Sequence, residues 1–322
     1  MTTAPAEGMI DAGRRDGAAG SGERGAVAGI SGLTAEIGVI GGSGFYQIEG
    51  LTGARTIEVP TPFGHPSSPL TIGTLAGHRV AFVARHGAGH RILPSELPSH
   101  ANLHALKQLG VSRVIGVSAV GSLREGIAPQ HAVVPDQVID RTRGRQSTFF
   151  GDGLVAHIGF ADPFCPELSS ALARASEAGG VTTHRGGTMV VIEGPAFSTR
   201  AESQLYRSWG AAVIGMTVIP EAKLAREAEL CYASLSLVTD YDVWHPTEAD
   251  VSADVVVQNL RANVAHARAA VGRAVAAIGG RARGCACGEA LASSVITPRE
   301  LVPLETRRRL ALLLERHWGT PS

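Results

Sequence analysis

The sequence alternates between short apolar runs and longer segments with helical periodicity, from residue 36 to residue 278. Residues 37–40, 80–84 and 231–238 are three of the apolar runs, and each is nearly continuous. Continuous apolar runs are typical of strands that helices cover on both faces. We therefore expect an α/β fold, a single domain whose mixed, largely buried central β-sheet is flanked by helices.

The same periodicity gives approximate bounds for the individual elements. Strands are predicted at residues 37–40, 80–84, 111–117, 188–192, 211–214 and 231–238. Helices are predicted at residues 99–109, 166–178, 199–209, 220–230 and 252–278. Residues 297–300 have the spacing of a capping box with proline at the first helical position, and predict a final helix that Pro303 kinks or delays.

Residues 1–34 differ in composition from the rest of the 322-residue chain. They are rich in Gly, Ala and Ser, carry short charged clusters, and contain no apolar run of the kind found in secretory signals. Such a composition buries too little apolar surface to order itself. We expect a disordered N-terminal tail over residues 1–34 and one domain, with a C-terminal helical segment, over residues 35–322.

Charge and hydropathy exclude several classes of function. Lys+Arg and Asp+Glu both number 29, which argues against broad binding to nucleic acid. No run approaches the roughly 18 apolar residues of a membrane span. The expected location is the cytoplasm, without a membrane or nucleic-acid partner.

The chain has four cysteines, too few for a disulfide framework. Cys285 and Cys287 are the only pair close in sequence. Two thiols with no further Cys or His beside them are too few for a structural zinc site, so no metal is expected. The sequence does not decide whether this pair is reduced or forms a strained disulfide.

Polar residues follow several of the predicted strands, where α/β sheets commonly place their sites. The segments that follow the predicted strands are Gly41-Gly42-Ser43-Gly44, Arg85-His86, Ser118-Ala119, Met216-Thr217 and Asp240-Tyr241-Asp242. Glycines let a backbone approach an anion, and an arginine with several hydroxyls suits a phosphate. A dinucleotide site is a weaker reading, because Gln47 stands where the third glycine of the Gly-x-Gly-x-x-Gly pattern belongs.

Asp240 and Asp242 are the most informative of these residues. If residues 231–242 continue as a strand, the two side chains point the same way. Paired carboxylates in a dry pocket raise the pKa of at least one of them, which then can donate a proton. One acid and one acceptor suit the ring nitrogen and the amine of a purine.

Several motifs in order give the chain a resemblance to the 5′-methylthioadenosine phosphorylases, within the trimeric purine nucleoside phosphorylase family. The resemblance extends from about residue 37 to about residue 257. It rests on Gly38–Gly44, Thr61-Pro62-Phe63-Gly64, Ala84-Arg85-His86-Gly87, Ser118–Arg124, Asp162–Pro166, Ile192–Pro195, Phe197–Ser203, Met216-Thr217 and Thr239–Asp242. Ala196 departs from the pattern, since many members carry Arg there.

The resemblance implies a nucleoside phosphorylase fold and roles for individual residues. Phosphate would be bound by Ser43, Arg85, His86, Ser118, Ala119 and Thr217. Met216 would lie against the ribose hydroxyls, Phe197 would pack on adenine with Ser198 close by, and the catalytic pair Asp240 and Asp242 would face N7 and the 6-amino group. The 5′-methylthio pocket would be lined by Ala253, Val256 and Val257, and closed by His157 of a neighbouring subunit.

The implied activity is phosphorolysis of 5′-methylthioadenosine to adenine and 5-methylthioribose 1-phosphate, by a homotrimer or hexamer without a cofactor. A 6-oxopurine phosphorylase of the same family is the nearest alternative, and an NAD-binding oxidoreductase is a distant one. Two aspartates favour a 6-amino purine, because an ionised carboxylate accepts a hydrogen bond but cannot donate one. The small apolar 5′ pocket leaves the preference for methylthioadenosine over adenosine open, since a methylene is worth only about 1–3 kcal/mol.

Overall fold

A computed structural model describes residues 32–42 and 48–319 of the chain. Within these residues the chain forms strands and helices in alternation. The strands are β1 (Ile37–Gly41), β2 (Thr52–Ile57), β3 (Leu70–Leu75), β4 (His78–Ala84), β5 (Arg113–Ser122), β6 (Ala132–Val134), β7 (Gln137–Arg141), β8 (Thr183–Arg185), β9 (Thr188–Ile192), β10 (Val213–Gly215) and β11 (Cys231–Asp240). The helices are α1 (Ser99–Gln108), α2 (Pro166–Glu177), α3 (Arg200–Ser208), α4 (Val218–Glu227), α5 (Ala253–Ile278), α6 (Leu304–Arg309) and α7 (Ala311–Trp318).

The eleven described strands form one mixed sheet with β5 at its centre. The main path runs β2-β3-β4-β1-β5-β10-β9-β7, and β11 pairs with β5 and leads through β6 to β8. β1 and β11 are parallel to β5, whereas β10 is antiparallel to it. β5 therefore pairs with three strands, so one strand connects all parts of the sheet that carry candidate site residues.

Helices cover the centre of the sheet with apolar side chains on two sides. Leu103 and Leu106 of α1 and Leu224 of α4 belong to one buried cluster. Leu172 of α2 and Val271 of α5 belong to another. Every residue of β11 is buried, as expected for a strand covered on both faces.

The α/β prediction is confirmed, and the long helix and the main strands lie within a few residues of their expected bounds. At the C-terminus the expected delay at Pro303 is confirmed, whereas the expected helix start at residues 297–300 is wrong. Residues 299–301 form only a short 3₁₀ turn, and the helix begins at Leu304, because Pro303 at its N-cap cannot continue the preceding turn. Strands β2, β3, β6, β7 and β8 were not predicted, since they are short or carry polar, half-exposed residues.

Residues 1–31 of the expected N-terminal tail lie outside the described residues. Thr34 belongs to the folded part, since its carbonyl accepts a hydrogen bond from Nε of Arg79 at 3.2 Å. In the part of the chain that the structure describes, no helix is both long and apolar enough to cross a membrane.

Candidate active site

The candidate site lies where β5 changes its neighbour within the sheet. Residues 113–116 of β5 pair with β1, and only Gly121 and Ser122 pair with β10. Between these two pairings, Ser118, Ala119 and Val120 are bonded to β11 alone. The sequence placed Ser118 beyond the end of a strand, but β5 continues to Ser122, so Ser118 lies within the strand at the gap between β1 and β10.

Asp240 is the last residue of β11 and lies beside Gly121 of β5. The pairing register shifts between Val238 and Asp240, so β11 contains a bulge at Thr239. Asp242 has a positive φ of 54°, which turns the chain away from the strand. The two carboxyls are therefore brought together by a turn, and the expectation that strand alternation aligns them is wrong.

The backbone N–H of Asp242 donates a hydrogen bond of 2.8 Å to Oδ1 of Asp240. Oδ2 of Asp240 accepts a bond of 2.7 Å from the hydroxyl of Thr239, which also lies 3.2 Å from the carbonyl of Val120. The hydroxyl of Thr239 can thus donate either to the carboxyl or to the carbonyl. Oδ2 of Asp242 is buried and has no hydrogen-bond partner among the described residues, as expected for an acceptor that a ligand completes.

Both carboxyls bind protons more readily than a free aspartate. Burial raises the pKa of Asp240, although its hydrogen bonds from Thr239 and Asp242 oppose that shift. Burial raises the pKa of Asp242 to about 6, and the neighbouring charge of Asp240 adds to the effect. The sequence-based prediction that at least one of the pair has a raised pKa agrees with both directions.

Only glycine fits opposite the two carboxyls at position 121. A Cβ there would lie 2.8 Å from Oδ1 of Asp240, 3.1 Å from Cγ2 of Ile214 and 3.4 Å from Cβ of Asp242. The space that a side chain would fill is occupied by the carboxyl of Asp240.

Helix α5 holds the end of β11 in place through two amides that sequence analysis missed. Nδ2 of Asn259 donates to the carbonyl of Thr239 at 2.7 Å, and Nδ2 of Asn263 donates to that of Val238 at 3.3 Å. The spacing of four residues puts both amides on one face of the helix. The sequence signal that could have identified these residues is a pair of Asn four positions apart on an otherwise apolar helix face.

Arg85 directly follows β4, is buried beside the end of β1 and the middle of β5, and is paired with Glu221 of α4. Nε and Nη2 of Arg85 lie 2.5 and 3.0 Å from the two carboxylate oxygens of Glu221. Its other bonds go to the carbonyls of Val117 and Ile40, at 2.6 and 3.2 Å. Four of the five guanidinium N–H groups thus have partners within the described residues, and Glu221 neutralises the charge that was expected to act on phosphate.

Two of the remaining expected phosphate ligands lie on the elements that contact Arg85: Ser118 follows Val117 on β5, and Thr217 is the N-cap residue of α4, which carries Glu221. Met216 and Thr217 directly follow β10, which pairs with the end of β5. Gly215, the residue before Met216, lies close to Ala119, because a Cβ on Gly215 would be 4.0 Å from the carbonyl oxygen of Ala119. The hydroxyl of Ser118 is buried and has no hydrogen-bond partner among the described residues. Ser43 directly follows Gly42 in the sequence and lies outside the described residues.

His86 follows Arg85 and is neutral at physiological pH. Burial lowers the pKa of His86 to about 4, and the neighbouring charge of Arg85 contributes in the same direction. Nδ1 lies 2.8 Å from the carbonyl of Ile92, which can only accept, so Nδ1 carries the proton. Nε2 is then an acceptor, suited to a hydroxyl or to a protonated phosphate oxygen.

Arg145, another residue that sequence analysis missed, joins the loop after β9 to the loop before α4. Its Nη1 donates to the carbonyls of Met216 and Ile219 at 2.6 and 2.8 Å, and its Nε donates to Glu193 at 3.1 Å. A single arginine with several charge-assisted bonds thus fixes the position of Met216.

The residues expected to contact the base differ in exposure and precede helix α3. Ser198 is buried, and its hydroxyl has no hydrogen-bond partner within the described ranges, whereas 41 % of Phe197 is exposed. Helix α3, which follows them, contacts the loop after Asp242 through a bond of 2.7 Å from Arg200 to the carbonyl of Val243.

The residues expected to line the 5′ pocket lie in the first turns of α5 and are largely exposed. Ala253 and Val257 are exposed, and Val256 is half-buried. His157 is exposed, and its backbone N–H donates to the carbonyl of Ser294 at 2.8 Å. Among the described residues of one chain, His157 forms no hydrogen bond with these three residues.

Comparison with known proteins identifies the family. Residues 36–277 match the model of the phosphorylase superfamily. The S-methyl-5′-thioadenosine phosphorylase of Koribacter versatilis is 53 % identical over 287 residues, which are 89 % of this chain and 98 % of that protein. The protein of the same name from Geobacter sulfurreducens is 55 % identical over 279 residues, 86 % of this chain and 97 % of its own.

Solved structures agree with the sequence relatives. A methylthioadenosine phosphorylase from an Antarctic soil metagenomic library superposes with a TM-score of 0.84 at 50 % identity, covering 88 % of this chain and 99 % of that one. The methylthioadenosine phosphorylase of Schistosoma mansoni in complex with adenine gives a TM-score of 0.77 at 35 % identity, over 83 % and 100 % of the two chains. The mixed sheet flanked by helices is the nucleoside phosphorylase fold, and the chain belongs to the phosphorylase superfamily.

Proposed function

We propose that the protein cleaves 5′-methylthioadenosine with inorganic phosphate, giving adenine and 5-methylthioribose 1-phosphate. The observation that carries this proposal is the buried pair Asp240 and Asp242, which lies beside Gly121 of β5, the strand that also carries the hydroxyl of Ser118, without a hydrogen-bond partner among the described residues. An acidic pair suits the edge of a 6-amino purine, and a cluster of donors suits phosphate. The relatives named as S-methyl-5′-thioadenosine phosphorylases over most of both chains support the same substrate.

The aspartates act on the leaving base. Asp240 binds a proton because it is buried, and passes it to N7 as the bond from the sugar to the purine breaks. Thr239 can turn its hydroxyl to the carbonyl of Val120 while Oδ2 of Asp240 carries the proton. Oδ2 of Asp242 accepts a hydrogen bond from the 6-amino group, which selects adenine over a 6-oxopurine.

Phosphate attacks the anomeric carbon from the opposite side of the sugar. Ser43, Ser118, Thr217 and the backbone at Ala119 donate to its oxygens, with the remaining N–H of Arg85. Nε2 of His86 accepts from a protonated phosphate oxygen or from a sugar hydroxyl. The sugar develops positive charge, which the bound phosphate stabilises, so the chemical step requires only the two substrates and protein side chains.

We propose a homotrimer, or a hexamer of two trimers, as the active form. His157 and Val257 are both exposed in one chain, although the resemblance assigns both to the same pocket. A neighbouring subunit whose His157 covers Ala253, Val256 and Val257 would close the pocket around the methylthio group. Mass measurement in solution tests the assembly, and a monomer with full activity would contradict it.

The proposal places the enzyme in the cytoplasm, where the four free cysteines stay reduced. The folded residues from Thr34 onward form the catalytic domain in this proposal, and residues 1–31 have no catalytic role. Removal of residues 1–31 should leave the kinetic constants unchanged.

A substrate panel tests the reaction and its selectivity together. Phosphorolysis of methylthioadenosine, adenosine and inosine is measured with phosphate as the second substrate. We expect methylthioadenosine to be cleaved, adenosine to differ from it through the 5′ pocket alone, and inosine to be a poor substrate. Rapid cleavage of inosine would instead indicate a 6-oxopurine phosphorylase.

A further inference from the structure

All four cysteines of the chain lie together at one place in the fold. Sγ atoms of Cys165, Cys231, Cys285 and Cys287 are all within 4.8 Å of one another. Three of these residues are buried and Cys285 is half-buried. Cys285 and Cys287 are close in sequence, and the fold brings Cys165 and Cys231 next to them.

The four thiols come from three separate segments of the chain. Cys165 is the N-cap residue of α2, and Cys231 is the first residue of β11. Cys285 and Cys287 lie in the loop that follows α5. Cys165 and Cys231 are adjacent in space because the N–H of Cys165 donates to the carbonyl of Tyr232 at 2.8 Å.

The spacing of the sulfurs matches a tetrahedral metal site. A zinc ion bonded to four sulfurs at about 2.3 Å holds those sulfurs about 3.8 Å apart. Here the pair Cys231 and Cys285 is 3.3 Å apart, and the longest separation is no more than 4.8 Å. Each sulfur needs to move by less than about 1 Å to reach zinc geometry.

We propose that Cys165, Cys231, Cys285 and Cys287 bind one Zn²⁺ as a closed, structural tetrathiolate site. Thiolate sulfur is a preferred zinc ligand, and four protein ligands leave no position for water. The site lies at the first residue of β11, whereas Asp240 is its tenth, about 30 Å away along an extended strand. The metal therefore does not take part in the proposed reaction.

The loop that carries Cys285 and Cys287 is held in place by contacts outside the sulfur cluster. The N–H of Gly284 donates to Oε2 of Glu167 at 3.2 Å. Nη1 of Arg283 donates to the carbonyl of Glu229 at 2.8 Å. The N-terminus of α2, with Cys165 at its cap, also favours a thiolate there. These contacts fix the two loop thiols against Cys165 and Cys231 before any metal is bound.

Zinc at this position would attach the C-terminal segment to the centre of the sheet. Residues beyond the loop pair with the strand-like segment that contains His157. The carbonyl of Ser294 accepts from the N–H of His157 at 2.8 Å, and the N–H of Ile296 donates to Val155 at 2.9 Å. Loss of the metal should therefore expose the chain after α5 to proteolysis.

The test measures metal and thiols in the full-length protein, purified under reducing conditions without chelator and reconstituted with Zn²⁺. We expect about one zinc per chain by mass spectrometry, and four titratable thiols per chain after denaturation with a chelator. Replacement of the zinc with Co²⁺ should give the thiolate charge-transfer absorption and the visible bands of a tetrahedral site. This reading needs no variant and does not depend on the proposed phosphorolysis.

Variants in the loop locate the site. Cys285→Ser and Cys287→Ser should each lower the bound zinc well below one equivalent, with a lower melting temperature and faster cleavage after α5. Ala286→Ser, at the exposed position between them, is the matched control and should retain the metal. Four free thiols without bound zinc after reconstitution would overturn the proposal, and so would fewer than four thiols because disulfides are present.

Discussion

The guanidinium of Arg85 and the carboxylate of Glu221 form a buried, bidentate ion pair beside the end of β1 and the middle of β5, with N–O distances of 2.5 and 3.0 Å. Tyr232 adds a hydrogen bond of 2.7 Å to Glu221. Only 3 % of Arg85 is exposed, so the arginine that the motif assigns to phosphate is already neutralised within the protein. Glu221 is therefore a positioning residue for Arg85, because it fixes which N–H can reach phosphate.

Replacing Glu221 with Gln should destabilise the protein and strengthen its response to phosphate. A buried arginine without its partner costs about 3–5 kcal/mol of unfolding free energy, because its charge is left uncompensated. Bound phosphate would supply the missing negative charge. Thermal unfolding with and without phosphate should show a lower melting temperature for Glu221→Gln, with a larger increase on adding phosphate than in the wild type.

Tyr232→Phe is the control for this comparison, since it removes one hydrogen bond to Glu221 and leaves the ion pair intact. Its response to phosphate should match that of the wild type. If phosphate stabilises Glu221→Gln no more than the wild type, Arg85 does not face the phosphate site.

Gly121→Ala should impair catalysis while the protein still folds. The new Cβ would lie 2.8 Å from Oδ1 of Asp240, so the carboxyl has to move away from its present position. Such overpacking typically costs about 1–3 kcal/mol, and a displaced catalytic group lowers kcat by about 10²-fold. Steady-state kinetics with methylthioadenosine measure the effect. Gly126→Ala, where a Cβ meets nothing within 4 Å, should have normal kinetics.

Much of the fold was predictable because its main strands are continuous apolar runs and α5 has a long helical period. The strands at the edge of the sheet were not, since β2 is exposed along most of its length and its residues show no buried face. The extension of β5 beyond Val117 could not be predicted from the sequence either. Its partner over residues 121–122 is β10, about 90 residues later in the sequence, and nothing local marks that pairing.

The candidate site was predictable where short motifs carry it, and not where the fold assembles it. Asp240, Asp242 and Ser118 are visible in the sequence as polar residues next to apolar runs. Glu221 looks like an ordinary residue in the first turn of a helix, and only the fold shows that it meets Arg85. The cysteine cluster is similar, because residues 165, 231 and 285–287 are separated by more than 50 positions and meet only in three dimensions.

Protonation of Asp242 should leave a signature in stability. Burial raises the pKa of Asp242 to about 6, from 3.8 for the free side chain. The folded protein thus binds more protons than the unfolded chain between these two pH values, and the free energy of unfolding falls as pH rises from about 4 to about 6. Denaturant unfolding across this range measures the slope, and Asp242→Asn should make it smaller.

Glu227 also makes the free energy of unfolding fall as pH rises, because burial raises the pKa of Glu227 to about 7. Glu227→Gln is therefore the matched comparison and should reduce the slope from about pH 4.5 to about pH 7, including the interval above pH 6 where Asp242 no longer contributes. The activity profile separates the two residues. Ionised Asp242 accepts from the 6-amino group, so kcat/KM for methylthioadenosine should fall as pH drops below about 6 in the wild type and in Glu227→Gln.

Asp240→Asn tests the assignment of the proton donor. The amide has the shape of the carboxyl, and its oxygen can still accept from the N–H of Asp242 while Thr239 donates to the carbonyl of Val120, but it carries no acidic proton for N7. We expect kcat for methylthioadenosine to fall by about 10²–10⁴-fold with a smaller change in KM, because the loss is in the transition state.

The activity with inosine relative to methylthioadenosine should rise, since an amide can donate to a 6-oxo group. Val257→Ala, in the expected 5′ pocket, serves as the control: it should change KM for methylthioadenosine but leave the ratio of inosine to adenosine activity unchanged, because those two substrates share the 5′-hydroxyl, whereas Asp240→Asn should raise that ratio. Unchanged turnover of methylthioadenosine by Asp240→Asn would show that another group protonates the leaving base.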